Sequence, residues 1–212
     1  MSQPARFITF EGGEGAGKST QARRLTAALR GVGIEVLETR EPGGSPGAEE
    51  IRRLLTTGAA ARWSPMAETL LHFAARSDHV GRVIRPALAA GRWVVCDRFA
   101  DSTMAYQGYG HGLDRCFIAQ LATAVLGGLR PDLTLVFDLP VREGLARAAA
   151  RAGSEDRYEK MDRTFHEALR QGYLAIAAAE PDRCLVIDAA GDEASTWQQV
   201  AAAVQAKLAV DL

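Results

Sequence analysis

Cysteine is scarce in this chain of 212 residues, which contains three: Cys96, Cys116 and Cys184. They are far apart in the sequence, and none of them forms the C-x-x-C pair that is typical of zinc sites. An odd and widely spaced set also argues against a disulfide framework. These cysteines therefore exclude a disulfide-stabilised fold and a cysteine zinc site, and we expect reduced thiols.

Net charge and long apolar runs are lacking too. The formal charge is -1, so no global field attracts nucleic acid or anionic lipid, and an anion site must be built locally. No apolar run approaches the ~18 residues that span a membrane, and the first residues do not resemble a signal peptide. We expect a cytoplasmic protein with no membrane and no nucleic acid polymer as partner, folded as a single domain over residues 1–212.

The apolar runs that are present are short and favour β-strands. Four lie at residues 7–10, 93–96, 133–139 and 184–187, and a weaker fifth lies at residues 35–38. Segments rich in alanine, leucine and arginine, of helical character, separate them. Strands that alternate with helices predict an α/β fold with a five-stranded parallel sheet flanked by helices.

Polar residues follow four of these predicted strands. Glu11 follows the run at 7–10, and Arg40 comes shortly after the run at 35–38. Asp97 and Arg98 follow the run at 93–96, and Asp188 follows the run at 184–187. Ligands in open α/β sheets bind beyond the carboxyl ends of the strands. We therefore expect one shared pocket that contains all four positions.

A glycine-rich motif between a predicted strand and a predicted helix is the strongest signal in the chain. Residues 12–19, GGEGAGKS, match G-x-x-x-x-G-K-[ST], the phosphate-binding loop (P-loop) of nucleotide-binding proteins. Its glycines let the backbone wrap around phosphate oxygens, and the helix start directs free N–H groups at them. The motif predicts a nucleoside triphosphate, with Mg²⁺ held at Ser19. The predicted nucleotide contacts are Gly12, Gly13, Gly15, Ala16, Gly17, Lys18, Ser19 and Thr20.

Two arginines follow strands on what we interpret as the acceptor side. Asp97 and Arg98 end the run at 93–96, where the carboxylate can hold Mg²⁺ together with Ser19 and the guanidinium can bind phosphate in a fork; a structural ion pair is the alternative. Arg40 precedes Pro42 in the segment REPGG, which is either a second phosphate contact or only a turn.

Four segments, taken in order, resemble bacterial thymidylate kinases: 10–20 (FEGGEGAGKST), 40–44 (REPGG), 73–76 (FAAR), and 97–99 (DRF) followed by 102–108 (STMAYQG). The resemblance implies the P-loop nucleoside monophosphate kinase fold. It implies transfer of the γ-phosphoryl group of ATP to dTMP, which gives dTDP and ADP in dTTP biosynthesis. It also implies a homodimer.

The same resemblance implies roles for individual residues. Phe73 stacks on thymine, and Arg76 bonds a ring carbonyl. Ser102, Thr103 and Gln107 surround the base edge and monophosphate, and Tyr106 lies against the sugar. Arg40, Pro42 and Arg98 hold the acceptor phosphate. Glu14 faces the acceptor 3′-hydroxyl, and Lys18, Arg98, Glu14 and a lid arginine form the catalytic set.

The segment at about 147–160 resembles the lid of family members that carry glycine in the P-loop. Other members have an arginine where this chain has Gly15, so the positive charge has to come from the lid. The resemblance implies that Arg147 binds ATP, that Arg151 contacts the transferred phosphoryl group, and that Arg157 and Tyr158 bind substrate. Which lid arginine contacts the phosphoryl group stays open at this point.

Two other functions are compatible with a P-loop. A kinase of the same fold that phosphorylates a hydroxyl group needs a carboxylate base, for which Glu11 or Glu14 is available. A nucleotide-dependent switch needs only binding, but the N-K-x-D guanine reader is absent from the sequence. The four histidines, which are His72, His79, His111 and His166, are assigned structural or surface roles.

Overall fold

The computed structural model describes residues 4–150 and 156–212. Five parallel strands form one sheet in the order β2-β3-β1-β4-β5. Their bounds are Phe7–Gly12 (β1), Val36–Arg40 (β2), Trp93–Asp97 (β3), Leu133–Asp138 (β4) and Cys184–Asp188 (β5). The predicted five-stranded parallel sheet is confirmed, and each boundary differs from the predicted run by two residues or fewer.

Helices connect the strands and cover both faces of the sheet. The α-helices are Lys18–Gly31 (α1), Pro46–Thr56 (α2), Pro65–His79 (α3), Arg85–Ala89 (α4), Ala100–Thr103 (α5), Arg115–Leu126 (α6), Val141–Ala149 (α7), Arg163–Ala179 (α8) and Glu193–Leu208 (α9). Two π-helical segments, Val80–Ile84 and Met104–Gly110, continue α3 and α5. Within the described ranges, no helix is long and apolar enough to cross a membrane.

Helix boundaries follow local side-chain chemistry. Ser64 precedes Pro65, and its hydroxyl accepts a hydrogen bond from the Ala67 amide, so that α3 begins with a capped first turn. Asp114 and Asp162 cap α6 and α8 in the same way. These caps satisfy N–H groups that have no partner inside the helix.

The core lies on both faces of the sheet. On one face, Leu25 of α1 and Val200 of α9 belong to the same buried cluster as Ile8 of β1. On the other, Tyr173 of α8 packs in a cluster with Val136 of β4. Burial on both faces explains why the strand sequences are almost continuously apolar rather than alternating.

The parallel arrangement brings the carboxyl ends of the strands to one edge. Asp97 of β3 is in register with Phe10 of β1 and with Arg40 of β2. The loop after β1 is therefore central in the sheet, with the end of β3 beside it. The π-helical segment Met104–Gly110 lies above that edge, and such segments occur often at functional sites.

Candidate active site

A cavity of about 470 Å³ opens at this edge of the sheet, which is within the usual volume range of small-molecule sites. It is lined by both the P-loop side and the acceptor side. The predicted site residues in its wall are Glu14, Gly15, Ala16, Gly17, Lys18, Ser19, Thr20, Arg40, Pro42, Arg76, Asp97, Arg98, Ser102, Thr103, Tyr106, Gln107 and Tyr158. Predictions from five separate stretches of the sequence thus meet around one space.

The P-loop leads directly into α1. Gly17 adopts a left-handed conformation with φ of 82°, and α1 begins at the next residue. The Lys18 ammonium donates to the Gly13 carbonyl at 2.6 Å, which holds the side chain along the loop. Burial lowers the pKa of Lys18 to about 8, with a further lowering by Arg98, and Glu14 opposes this shift. The ammonium is mostly protonated at neutral pH and faces a site shaped for phosphate.

A close approach between the P-loop and α7 explains the glycine at position 15. Gly15 has φ of 69°, and a β-carbon there would overlap the carbonyl oxygen of Gly144. A β-carbon on Gly144 would in turn lie 2.5 Å from the carbonyl oxygen of Glu14. Two glycines therefore let α7 contact the P-loop, and a side chain at position 15 has no room in this packing.

Arg98 turns back over the P-loop through an unfavourable backbone conformation. Its φ of 67° lies in the left-handed region, which costs a non-glycine residue roughly 1–3 kcal/mol. Its guanidinium donates to the Gly12 carbonyl at 2.9 Å and to the Glu14 carboxylate at 3.0 Å. It also lies 5.1 Å from the centre of the Tyr106 ring. The conformation directs a half-buried positive charge into the space between the P-loop and the opposite wall.

Glu14 is a half-buried carboxylate among positive charges. Burial alone would raise its pKa, but Arg98 and Lys18 outweigh that effect and lower the pKa to about 2. The Tyr106 hydroxyl donates to Oε1 of Glu14 at 2.5 Å, the same oxygen that accepts from Arg98. Glu14 is therefore ionised at neutral pH and joins the P-loop to the acceptor wall.

Ser19 and Asp97 lie in contact, and the Ser19 hydroxyl donates to one oxygen of the Asp97 carboxylate. The other oxygen, Oδ1, is buried, and no residue in the described part of the chain forms a hydrogen bond with it. Among the described residues, no group of three or more His, Cys, Asp or Glu side chains could hold a metal by itself. A hydroxyl and a carboxylate with an unused oxygen nevertheless fit Mg²⁺, which usually keeps waters and substrate phosphates in its shell.

Arg76 of α3 anchors the acceptor wall and is 2% exposed. Its Nε donates to the Glu41 carboxylate at 2.7 Å, and its other nitrogens donate to the Thr103 hydroxyl at 3.0 Å and the Phe99 carbonyl at 2.9 Å. Three of its five N–H groups are thereby occupied, and the remainder are available at the cavity.

Two predicted contacts on α3 and in the lid lie elsewhere in the structure. Phe73 is 3% exposed, is not part of the cavity wall, and packs beneath the Arg76 guanidinium. Its neighbour His72 lines the cavity instead and hydrogen-bonds the Tyr158 hydroxyl at 2.8 Å. The Arg76 guanidinium covers the Phe73 ring in this structure, and the stacking of Phe73 on the base stays a prediction.

Arg157 does not reach the cavity either. Its side chain is 1% exposed and pairs with Glu68, and it also donates to the carbonyls of Leu55, Ala59 and Ala60. The predicted substrate contact is therefore corrected to a buried structural arginine. Burial raises the pKa of the adjacent Tyr158 well above its ordinary value, so this wall residue is a neutral phenol.

The remaining predicted positions within the described residues lie outside the cavity wall. The Gly12 carbonyl accepts a hydrogen bond from Arg98, and the Gly13 carbonyl accepts one from Lys18. Arg147 donates to the carbonyls of Ala189 and Ala190, after β5, at 3.0 and 3.3 Å. Arg151 lies outside the described residues, and its assignment stays a prediction.

The expectation of one pocket for all four strand-end positions is wrong for Glu11 and Asp188. Glu11 lies beneath the cavity, where it accepts from the Phe99 amide and the Ser102 hydroxyl, and burial raises its pKa to about 7. Asp188 is at the outer strand and accepts from the Ala190 amide. The strand order separates β5 from β3 by two strands, which places Asp188 beyond this pocket.

The cavity wall also contains residues that the sequence analysis did not select. They are Arg23, Glu41, Arg52, Thr56, His72, Phe99, Asp156 and Glu159. Arg23 was detectable, since it lies one helical turn after Ser19 on α1 and donates to the Ser19 carbonyl. The others depend on tertiary packing.

A protein-family model described as "Thymidylate kinase" matches residues 10–200. The chain belongs to the thymidylate kinase family. It is 62% identical to the thymidylate kinase of Caulobacter vibrioides over 183 residues, covering 86% of this chain and 88% of that protein. It is 55% identical to the thymidylate kinase of Dinoroseobacter shibae over 210 residues, covering 99% of each.

A solved structure supports the same family. The crystal structure of thymidylate kinase from Ehrlichia chaffeensis matches with a TM-score of 0.74 and 34% identity, covering 92% of this chain and 96% of that one. The predicted resemblance and the predicted P-loop nucleoside monophosphate kinase fold are both confirmed.

Proposed function

We propose that this chain is an ATP:dTMP phosphotransferase that transfers the γ-phosphoryl group of ATP to dTMP and releases dTDP and ADP. The observation that carries the proposal is the continuity of one cavity. Its P-loop wall contains Lys18 and Ser19, and its opposite wall contains Arg40, Arg76 and Gln107. A nucleotide triphosphate on one wall and a nucleoside monophosphate on the other would meet at Arg98.

The P-loop and Arg147 are assigned to ATP, and the opposite wall to dTMP. Arg40 and Arg98, with Pro42, are assigned to the acceptor phosphate. Support for Arg40 comes from its exposure at the cavity, where it already pairs with a carboxylate, that of Glu49, at 3.1 Å. An acceptor phosphate offers the same bidentate chemistry to this guanidinium.

In the reaction, the bond between phosphorus and the β–γ bridging oxygen of ATP breaks, and a phosphate oxygen of dTMP forms the new bond to the same phosphorus. Lys18 and Arg98 neutralise the charge of the two anions and align them. The second pKa of a phosphate monoester is about 6, so the attacking oxygen is already ionised at neutral pH. No general base is required, which agrees with the engaged oxygens of Glu11 and the pKa of Glu14 far below neutral.

Ser19 and Asp97 are proposed to hold Mg²⁺, directly or through water. The unpartnered Oδ1 of Asp97 supports this assignment. When bound, the ion would neutralise charge on the phosphates of ATP.

The remaining assignments follow from the family and extend beyond the cavity. We propose a single domain over residues 1–212 with a lid at about 147–160, in which Arg151 contacts the transferred group and closure excludes water. We also propose a cytoplasmic homodimer. Exposed apolar side chains on α2 and α3, namely Leu54, Met66 and Leu70, support an interface on that face.

A coupled ATP-consumption assay tests the function. Purified protein with Mg²⁺ is given dTMP, dUMP, thymidine or no acceptor. We expect strong turnover with dTMP, weaker turnover with dUMP because one methyl contact of ~1–3 kcal/mol is lost, and none with thymidine. Turnover on thymidine would indicate a hydroxyl kinase, and hydrolysis independent of acceptor would indicate a switch; either result contradicts the proposal.

A further inference from the structure

Glu68 is a buried carboxylate that the reaction itself does not use. It lies in the first turn of α3, and its side chain is 1% exposed. One oxygen, Oε2, accepts from Arg157, and the other, Oε1, accepts from the Gln107 amide nitrogen at 2.7 Å. His111 Nε2 lies 3.5 Å from the same Oε1.

The charge state of this carboxylate is well defined. Burial alone would raise its pKa, but His111, His72 and Arg157 outweigh burial and lower the pKa to about 2. Glu68 is therefore ionised at neutral pH, and an ionised carboxylate only accepts hydrogen bonds. Whatever group contacts its Oε1 has to be a donor.

That requirement fixes the orientation of the Gln107 amide, whose two ends differ in chemistry. The NH₂ group must face Glu68, so the carbonyl oxygen faces away from it. This oxygen, Oε1 of Gln107, is buried and has no hydrogen-bond partner among the described residues, and Gln107 is part of the cavity wall. An unpaired buried acceptor is costly unless a ligand donates to it.

Arg157 prevents the carboxylate from turning. Its guanidinium binds Glu68 Oε2 and is itself held by the carbonyls of Leu55 and Ala60 at 3.1 and 2.9 Å. The arrangement is a relay in which backbone carbonyls position Arg157, Arg157 positions Glu68, and Glu68 orients Gln107.

We propose that Glu68 is a positioning residue that makes Gln107 a hydrogen-bond acceptor and thereby selects pyrimidines that carry an N3–H group. Thymine and uracil have that donor. Cytosine has a lone pair at N3 instead, so two hydrogen-bond acceptors, cytosine N3 and the Gln107 oxygen, would face each other. The inference rests on the proposed function, because it requires a pyrimidine monophosphate in this cavity.

Glu68→Gln tests the relay. Arg157 would take the oxygen of the new amide, which leaves its NH₂ group towards Gln107. Gln107 would then have to accept from residue 68 and turn its own NH₂ group to the base. The readout is the ratio of kcat/KM for dTMP to kcat/KM for 5-methyl-dCMP, which keeps the ring methyl group and changes only the hydrogen-bonding edge.

For the unmodified chain we expect this ratio to be about 10⁴ or more, since a site built for an N–H donor strongly rejects an analogue without it. In Glu68→Gln we expect it to fall by about 100-fold or more, with activity lost on dTMP and gained on 5-methyl-dCMP. Glu68→Asp, which keeps the carboxylate, is expected to retain the preference for dTMP. The dTMP-to-dUMP ratio is the internal control and should not change, because both bases carry N3–H.

An unchanged dTMP-to-5-methyl-dCMP ratio in Glu68→Gln, with both activities falling together, would overturn the inference, as would a ratio near one in the unmodified chain. If Glu68→Gln does not fold, exchange of the Gln107 side-chain NH₂ protons in the ¹⁵N-labelled unmodified protein provides the test. Protection that persists when dTMP binds supports the orientation, and loss of protection overturns it. Absence of dTMP turnover in the unmodified chain would contradict the proposed function rather than the relay.

Discussion

The donor and acceptor walls of the cavity are constructed in different ways. The donor wall is one continuous stretch, residues 14–20, which runs from the P-loop into the start of α1 and contains one lysine. The acceptor wall is assembled from β2, α3, the π-helical segment and the segment around Tyr158, and it is held together by buried charges. Backbone chemistry suits phosphate, which all nucleotides share, whereas a specific base needs side chains from several elements.

If buried charge holds the acceptor wall together, removing one charge there should reduce stability most. Arg157→Met leaves Glu68 buried without its partner, and we expect the free energy of unfolding to fall by about 3–5 kcal/mol. Denaturant unfolding followed by circular dichroism measures it. Arg163→Met is the matched control, since Arg163 is 74% exposed and contacts Glu167 at 3.4 Å; equal losses in the two variants would refute a special role for the buried pair.

The donor wall should respond in activity rather than in stability. Lys18→Met removes a charge aimed at the phosphates, and we expect kcat to fall by about 10²–10³-fold. The unfolding midpoint should not decrease, because burial of an ammonium is itself unfavourable. Lys207→Met on α9 is the control, because Lys207 donates to the Asp182 carbonyl at 3.1 Å and is not part of the cavity wall. A fall in kcat that merely follows a fall in stability would contradict this distinction.

A substitution at the contact between the P-loop and α7 should give an intermediate effect. Gly144→Ala places a β-carbon 2.5 Å from the Glu14 carbonyl oxygen, and overpacking of this kind typically costs about 1–3 kcal/mol. We expect lower stability together with weaker ATP binding, measured by calorimetry. Gly31→Ala at the end of α1 has open space around the new carbon and serves as control. Equal behaviour of both variants would argue against the close approach.

The smallest expected effect is a pH dependence on the donor side. The folded-state pKa of Lys18 is about 8, below its ordinary value, so the unliganded protein loses this charge as the pH rises from 7 to 9. ATP affinity should fall about tenfold over that range, and it should not do so in Lys18→Met. Between pH 8 and 10.5 the unfolded chain binds this proton more tightly than the folded one, so stability from this group rises with pH. If the fall in ATP affinity instead coincides with unfolding of the protein, deprotonation of Lys18 is not its cause.

The same contrast explains which features were predictable from the sequence. The strands and the P-loop have signals that are contiguous in the chain: an apolar run, a glycine-rich turn and a helix start. No contiguous signal predicts that Arg157 is buried, because its partner Glu68 is distant in the sequence. A lid arginine and a core arginine have the same appearance until the fold brings their partners together.

His72 and Phe73 show a second limit. Both lie within one turn of Arg76, so helical periodicity places either one near the cavity. Only the packing of α3 decides that the phenyl ring enters the core and that the imidazole contacts Tyr158. Burial lowers the pKa of His72 to about 4, so the ring in the cavity wall is uncharged at neutral pH. The FAAR motif directs attention to its aromatic residue, whereas nothing in the sequence marks the neighbouring His72 as a residue of the cavity wall.

The pair formed by Gly15 and Gly144 has a consequence for sequence variation in the family. The two positions are far apart in the chain but compete for one small volume, so neither can acquire a side chain independently. We expect them to covary among thymidylate kinases: a relative with arginine at the position of Gly15 should have α7 set back from the P-loop. The choice of which segment carries the positive charge for phosphoryl transfer would then be inherited together with the placement of one helix.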